Sequence, residues 1–513
     1  MVDVVFVFEV HQPFRLRKDV LRSMISDGIR GRLGFEKLFD MLFDSRLNEE
    51  IFTRVADKCY VRATKILLDS IKAVRRAGGD FRFAMSVSGV LIEQALKWDK
   101  RVVEVIQEAV DENAVELVEQ TYYHSLASLF SPDEFAEQLL LHRVAVKQMF
   151  GVEPKVAENT EFIYNNDIAH TLSRLGYTTI LTEGCEKILN WRSPNYVYRA
   201  KGCDARVLMR NYRLSDDIGF RFSDRSWDQY PLTADKYASW VANTPGDVIL
   251  IAMDYETFGE HHSPSTGVLE FLKWLPIELS KRSNVSIATP SEAVQRHEPR
   301  DFIDVPMWET ISWADERDLS AWLGNSMQRT AFDIYTSLEP YVKAVGGEAL
   351  RIWRYLGASD HLYYMAIKSG PAADVHHYFS PYKDVFIAYT AMIEALAILS
   401  TMVLQEISSK PKVYAHRIVL PYSKAFQFYL GPAMPLPYRA RSLRELIAIA
   451  TSLAPPESLA YHVVRGDLAK WLREMLLLDD VAKELEILGT RVREGFVNTK
   501  GLREELLKIL SEI

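Results

Sequence analysis

Val248-Ile-Leu-Ile-Ala-Met-Asp-Tyr-Glu-Thr-Phe-Gly-Glu-His-His262 decides the fold, because a continuous apolar run ends there in carboxylates, a glycine and two histidines. An apolar run without polar alternation is the pattern of a strand buried on both faces, as in a parallel sheet. In a strand-helix barrel the chemistry sits where such strands finish, which puts Asp254 and Glu256 at the expected place. Val156-Ala-Glu-Asn-Thr-Glu-Phe-Ile-Tyr-Asn165 repeats the form and sets Glu161 just ahead of a predicted helix. Two strand-end carboxylates far apart in sequence suggest a glycosidase pair, one giving a proton to the leaving oxygen and the other meeting the oxocarbenium-like carbon.

Working outward, residues 2–10, 81–87, 114–119, 155–160, 178–182, 248–253 and 285–289 read as buried strands, with helical patterns over 60–77, 100–111, 132–149 and 168–175 between them. Strands alternating with helices predict a parallel sheet, and this many units in about 290 residues suit an α/β incomplete (β/α)7 barrel better than several small domains. Periodicity alone leaves a doubly wound open sheet as the alternative. The segment 183–245 is long and rich in Arg, Asp, Tyr and Trp, and reads as an insertion that shapes a cleft. Past Pro299 the spacing turns helical, over 319–338, 346–358 and 382–406, as in an α-helical bundle.

A polar, proline-containing break at Ser408-Ser-Lys-Pro-Lys-Val413 sets a further boundary. The expected division is therefore 1–300 as the catalytic barrel, 301–408 as a helical domain completing the cleft, and 409–513 as a small C-terminal helical module of unknown role. In that module Ser442-Leu-Arg-Glu445 has capping-box form ahead of a helix that stops before Pro455-Pro456.

The chain has 513 residues, 48% hydrophobic and 25% charged, with a formal net charge of -8, which is the balance of a globular enzyme. No long basic stripe is present, so a nucleic-acid partner is not expected. Three cysteines, Cys59, Cys185 and Cys203, have neither zinc-ribbon nor redox spacing and read as reduced thiols. The N-terminus runs directly into a strand pattern without the features of a signal peptide, and no run of about 18 consecutive apolar residues is present. A cytoplasmic protein with no membrane partner is the expectation.

His11-Gln-Pro13 follows the first strand pattern, and Glu116 with Tyr122-Tyr-His124 belongs to the third. Aromatic faces stack on pyranose rings while carboxylates and imidazoles hold hydroxyls, so this mixture fits a saccharide cleft. Neither His261-His262 nor His376-His377 has the one-turn spacing of a helical zinc site, and no segment forms an oxygen-rich calcium loop. The expectation is no metal and no cofactor.

Taken in order, His11-Gln-Pro13, Val115-Glu-Leu117 with Tyr122-Tyr-His124, Asn159-Thr-Glu-Phe-Ile-Tyr164, Met253-Asp-Tyr-Glu-Thr-Phe-Gly-Glu-His261 and Asp318-Leu-Ser-Ala-Trp-Leu-Gly-Asn325 resemble the five sequence regions of glycoside hydrolase family 57, closest to its α-amylase branch. Asn211-Tyr-Arg-Leu-Ser-Asp-Asp217 and Ser359-Asp-His-Leu-Tyr-Tyr364 add to the likeness, which spans roughly the first 390 residues. The resemblance implies an incomplete barrel of seven strand-helix units followed by a helical domain. It implies a retaining hydrolase of α-1,4-glucans (starch, glycogen or maltooligosaccharides) with Glu161 as nucleophile and Asp254 as general acid/base. It also implies substrate contacts by His11 and Glu116, and by His124 and Trp322, which lie in matching motifs. A 4-α-glucanotransferase using the same double displacement, a metal-dependent deacetylase and a non-catalytic glucan-binding protein are the alternatives. Glu158 departs from the family pattern, where arginine is expected, and brings an extra carboxylate near the nucleophile. The C-terminal module, with Phe426-Gln-Phe-Tyr429 and Tyr461-His-Val-Val-Arg-Gly-Asp-Leu468, resembles a small helical module appended to such enzymes.

Overall fold

All nine residues of strand β1 (Val2–Val10) are buried, including Asp3 and Glu9, because β1 is paired on both sides. In this computed structural model, which describes residues 1–26, 34–367 and 380–513, β1 pairs in parallel with β7 (Val248–Asp254) from Asp3↔Val248 to Glu9↔Asp254. On its other side it pairs in parallel with β2 (Phe83–Val87). From β2 the sheet continues to β3 (Val115–Val118). A single parallel bridge, Glu119↔Ala157, joins the end of β3 to β4 (Val156–Glu158). Strand β4 pairs with β5 (Thr179–Glu183), β5 with β6 (Arg206–Arg210), and β6 meets β7 at Arg210↔Leu250. These parallel strands close a ring of seven, the expected incomplete barrel.

The ring has two thin seams, β3 to β4 and β6 to β7, each held by few bonds. At the first, Glu119 N donates to Val156 O and Glu158 N to Glu119 O, both at 2.9 Å. At the second, the Arg210 Nε–H donates to Ala252 O at 2.7 Å.

One strand differs from the sequence expectation. The sixth strand of the ring is Arg206–Arg210, inside the segment read as an insertion, whereas Val285–Ile287 only adds a short pairing to Val2–Val4. Arg206-Val-Leu-Met-Arg210 has just three apolar residues between two arginines, too short a run for hydrophobic periodicity to register.

Side chains alternate across each strand. Val4, Phe6 and Phe8 of β1 join Phe83, Met85, Ile249 and Ile251 in the core beneath the surrounding helices. Val5, Val7, Ala84, Val118, Val156, Leu181, Leu208, Leu250 and Ala252 fill the inside of the ring. Continuing the same two-residue step to the C-terminal ends carries Glu9, Ser86, Gln120, Glu158, Glu183, Arg210 and Asp254 onto the inner face.

By Cα proximity the chain divides into two units, the first comprising residues 1–19, 42–331 and 357–391, the second 20–41, 332–356 and 392–513. Residues 301–331, 357–367 and 380–391, read from sequence as part of a separate helical segment, thus group with the ring strands. The second unit has its own core, including Leu443, Leu446, Leu459, Leu472, Leu485, Leu502 and Leu506. It also holds an antiparallel hairpin, Phe426–Gly431 with Met434–Ala440, which the reading as a purely helical module did not anticipate. Among the described residues one helix, Val385–Ser409, is long and apolar enough to cross a membrane by length and composition, with half of its most apolar window buried. Its buried positions, Ala388, Ala391, Met392, Ala395, Leu396, Leu399 and Val403, recur every three or four residues, as on a packed helix face.

Gly259 shows how tightly the β7 motif is seated. Its φ of +129° suits glycine, and an added Cβ would lie 2.2 Å from Lys58 O. Gly259→Ala is expected to lower the free energy of unfolding by about 2 kcal/mol or more. An unchanged urea midpoint and slope would contradict this packing.

Candidate active site

Directly after β4, Glu161 and Phe162 both adopt left-handed backbone conformations, with φ of 61° and 53°. Two consecutive non-glycine residues of this kind are costly and persist only where surrounding contacts hold them. Here Phe162 stacks on Trp313 at 4.8 Å with 6° between the rings, and the Arg210 guanidinium lies 5.8 Å from the same indole. Trp313 N–H donates to Glu161 O at 3.2 Å, and Trp313 O accepts from Arg317 at 2.6 Å. The indole Nε1–H of the clamped Trp313 donates to Glu161 Oε2 at 2.7 Å, while Ser359 Oγ–H donates to Oε1 at 2.8 Å. The Glu161 carboxylate is thereby held at both oxygens.

Asp254 ends β7, in register with Glu9. Burial holds its pKa well above the ordinary carboxylate range, the charges of Glu256 and Glu161 push the same way, and Arg210 opposes them. Arg210 is committed elsewhere as well, donating to Glu183 at 2.9 Å and Asp216 at 2.6 Å. Two residues on, Glu256 accepts from the Tyr60 hydroxyl and from Gln12 Nε2, and burial pushes it up to about 7. Tyr60 ends a π-helical turn, Ala56–Tyr60, between two α-helices, and the preceding Cys59 thiol donates to Tyr255 O at 3.0 Å. Such one-turn bulges re-aim side chains, in this case beneath the β7 motif.

His11 and His124 stack with ring centroids 4.0 Å apart and 21° between planes. His11 Nδ1 bonds Ser88 Oγ at 2.7 Å and Nε2 bonds Asp360 Oδ2 at 3.1 Å. Burial and the neighbouring His124 lower the pKa of His11 to about 4, so at neutral pH it is the neutral donor to an ionised Asp360. Burial acts in the opposite sense on Asp360, but His11 outweighs it and holds that carboxyl below the usual range. His124 Nδ1–H donates to Gln120 Oε1 at 2.8 Å, with Glu9 Oε1 3.2 Å from the same nitrogen, and its Nε2 lies 3.6 Å from Glu161 Oε1. Burial opposes charge on His124 as well, yet Glu161 raises its pKa overall.

Glu9 and Glu158 are buried in the same layer, with His124 Nδ1 3.2 Å from Glu9 Oε1 and Ser86 beside the Glu158 carboxyl. Burial raises both, Glu158 to about 7, with Glu161 among the charges acting in the same direction. The extra carboxylate noted from sequence is therefore largely shielded by protonation below that pH.

Of the six residues expected from sequence, the structure gathers Glu161, Asp254, His11 and His124. It does not bring Glu116 to them. Glu116 faces inward from the start of β3, four residues before Gln120, and accepts from Ser291 N and Oγ on the helix Pro290–Arg296. Ala293 and Val294 of that helix fill the inside of the ring. Sequence spacing placed Glu116 in the right strand, but not at which end. Trp322 is 1% exposed, in Ser320–Leu323 packed against Ser359–Tyr363, which leaves almost no surface for a sugar. The tryptophan that reaches the carboxylate is Trp313, for which periodicity offered no signal. Asp360 and Ser359 lay in a stretch singled out from sequence without a role, and Glu9 was within reach of two-residue counting along β1.

His11, His124 and Asp360 each offer a ligand atom within 4.8 Å of the others, making a group able to hold a metal. His262, by contrast, is tied to Ser223 Oγ at 2.7 Å and to the carbonyls of Ile218 and Gly219 at 3.0 Å. His376-His377 lies outside the described residues.

The sequence profile described as Glycosyl hydrolase family 57 matches residues 5–306. A Methanocaldococcus jannaschii protein named "Putative alpha-amylase" is 46% identical over 404 residues, covering 77% of this chain and 83% of that one. Among solved structures, a GH57-type branching enzyme from Pyrococcus horikoshii superposes with a TM-score of 0.56 at 14% identity, covering 80% of this chain and 91% of the other. The 4-alpha-glucanotransferase from Thermococcus litoralis superposes with a TM-score of 0.51 at 14% identity, over 70% of this chain and 56% of that enzyme. At these identities the structural likenesses speak for the fold.

The raised pKa of Glu158 has a measurable consequence for stability. Between its ordinary value of 4.5 and about 7, the folded chain keeps a proton that the unfolded chain has released, so stability falls as pH rises through that window. Glu158→Gln should remove up to about 3 kcal/mol of this loss. Urea unfolding at pH 5 and pH 8 is expected to show a gain for the variant at pH 8 that is much smaller at pH 5. Equal effects at both would contradict a buried, neutral carboxyl.

Proposed function

The chain belongs to glycosyl hydrolase family 57, and we propose that it is a retaining enzyme acting on α-1,4-glucans by double displacement, with Glu161 as nucleophile and Asp254 as general acid/base. The observation that carries this reading is the contrast between the two carboxyls. Burial and the charges of Glu256 and Glu161 push the Asp254 pKa well above the carboxylate range, whereas Glu161 is aimed by donors at both oxygens. A carboxyl whose surroundings favour its protonated form is suited to act as the acid, and one fixed in orientation is suited to attack.

In the first step Glu161 forms a bond to the anomeric carbon as the glycosidic bond breaks, and the Asp254 proton passes to the departing oxygen. In the second, Asp254 takes a proton from the incoming hydroxyl, which attacks the same carbon and releases Glu161. Water as acceptor gives hydrolysis, and a sugar hydroxyl gives transfer. The stacked His11 and His124, with Asp360 behind His11, supply the polar wall expected to hold sugar hydroxyls near that carbon.

Sizing the products from maltotriose tests the reading directly. Small sugars alone mark an amylase-like hydrolase, longer oligosaccharides a 4-α-glucanotransferase, and both should fall on the order of a thousandfold in Glu161→Gln. Turnover that survives that substitution overturns the assignment. Trp313→Phe keeps the stack on Phe162 but removes the N–H to Glu161, and a lost bond to a charged group predicts a fall in kcat/KM of roughly tenfold or more. The alkaline limb of the pH profile reports Asp254 losing its proton. Because Glu256 contributes the largest neighbouring charge holding that proton on, Glu256→Gln should move the limb to lower pH, and an unmoved limb would argue against Asp254 as the acid.

A further inference from the structure

His11 at the end of β1, His124 after β3 and Asp360 in the helix Ser359–Tyr363 converge from three distant parts of the chain. We propose that their Nε2, Nε2 and carboxylate atoms form a binding site for one divalent transition-metal ion of the zinc type, and that an ion held there takes Glu161 out of reaction. The second part rests on the nucleophile role given to Glu161 above, and the first does not.

The donor set speaks for this class of ion. Two imidazole nitrogens with one carboxylate suit zinc and its first-row neighbours, whereas calcium and magnesium favour oxygen ligands. The donor atoms are already grouped. Ligands at 2.0–2.1 Å in a tetrahedron stand about 3.3 Å apart. His11 Nε2 and Asp360 Oδ2 are already 3.1 Å apart, and no pair in the group exceeds 4.8 Å. The two imidazoles are stacked with 21° between their planes, so binding requires one ring to turn about its side-chain torsions until both Nε2 lone pairs point at the ion.

The outer contacts match as well. A metal-binding histidine commonly gives its other N–H to a fixed acceptor, which orients the ring and sets the tautomer. His124 Nδ1–H donates to Gln120 Oε1, and the buried Glu9 carboxyl stands 3.2 Å from the same nitrogen. In the metal-free chain neutral His11 gives its Nε2–H to Asp360 and its Nδ1 accepts from Ser88 Oγ–H; an ion at Nε2 requires the other tautomer, with Nδ1–H donating to Ser88 Oγ, which also accepts from Leu91 N–H. Both rings therefore present Nε2 to the shared space. The ionised Asp360 makes that space attractive to a cation.

Glu161 Oε1 lies 3.6 Å from His124 Nε2, so an ion bound to that nitrogen has the Glu161 carboxylate within reach as a fourth ligand. A carboxylate lone pair given to the metal is no longer offered to an anomeric carbon, and the ion fills space a sugar ring would use. Metal and glucan should exclude one another.

The test is calorimetric titration of the untagged, chelator-stripped full chain with Zn2+, alongside Mg2+ and Ca2+. One zinc per chain is expected, with no comparable binding of the other two. His11→Asn and Asp360→Asn, checked for folding by circular dichroism, should each weaken zinc binding on the order of 100-fold. Absence of a single saturable site, or unchanged affinity in both variants, overturns the proposal. Should the variants fail to fold, an anomalous difference map from a zinc-soaked wild-type crystal decides, with a peak between the three side chains supporting the site and a peak only elsewhere overturning it. If zinc binds there and raises the KM for maltooligosaccharide reversibly, the block on Glu161 stands. Binding without loss of glucan turnover overturns the block alone, and a chain with no glucan turnover at all refutes the catalytic reading while leaving the binding result intact.

Discussion

The two-residue alternation of side chains along a closed ring of parallel strands is the constraint on which the remaining structure depends. Because the ring closes, each inward position is removed from solvent, and because the strands are parallel, their C-terminal ends gather at one mouth. Apolar inward residues such as Val5, Val7, Leu208 and Leu250 fill the interior, and one or two steps later the same face presents Glu9, Glu158, Glu183, Arg210 and Asp254. The site is the last layer of the core, where packing residues give way to titratable ones.

That layer is electrostatically crowded. Carboxylates sharing a poorly solvated space cannot all ionise, so they separate by environment. Glu183 is matched by Arg210 and Arg317, Glu256 is held by Tyr60 and Gln12, and Asp360 pairs with His11. Asp254, less fully countered, has its pKa pushed well upward. Glu161 sits outside the strand itself, on a strained turn clamped by Trp313, and takes its donors from Trp313 and Ser359, which lie past the barrel strands in sequence. Division of labour among chemically similar groups thus follows from which of them found partners.

Much of this was legible in the chain. The apolar runs ending in carboxylates located β1, β4 and β7 and the two acidic residues now facing the same layer, because burial on both faces leaves an uninterrupted hydrophobic signature. Strand β6 was not legible, since three apolar residues between arginines carry too little signal, and the carboxylates that match Arg210, Glu183 and Asp216, are brought to it only by the fold. The hairpin at Phe426–Gly431 with Met434–Ala440 escaped for a related reason, its outer face being largely exposed and its second strand carrying two prolines.

By itself the sequence determined the parallel strand-helix architecture, the strand-end carboxylates and the family to which the chain belongs, because these rest on local periodicity and on motifs read in order. Only the tertiary structure decided that Glu116 faces the opposite end of the ring, that Trp322 is packed away while Trp313 orients Glu161, and that His11, His124 and Asp360 share one space. Those outcomes depend on strand direction, ring closure and contacts between residues hundreds of positions apart, none of which is a property of any local stretch.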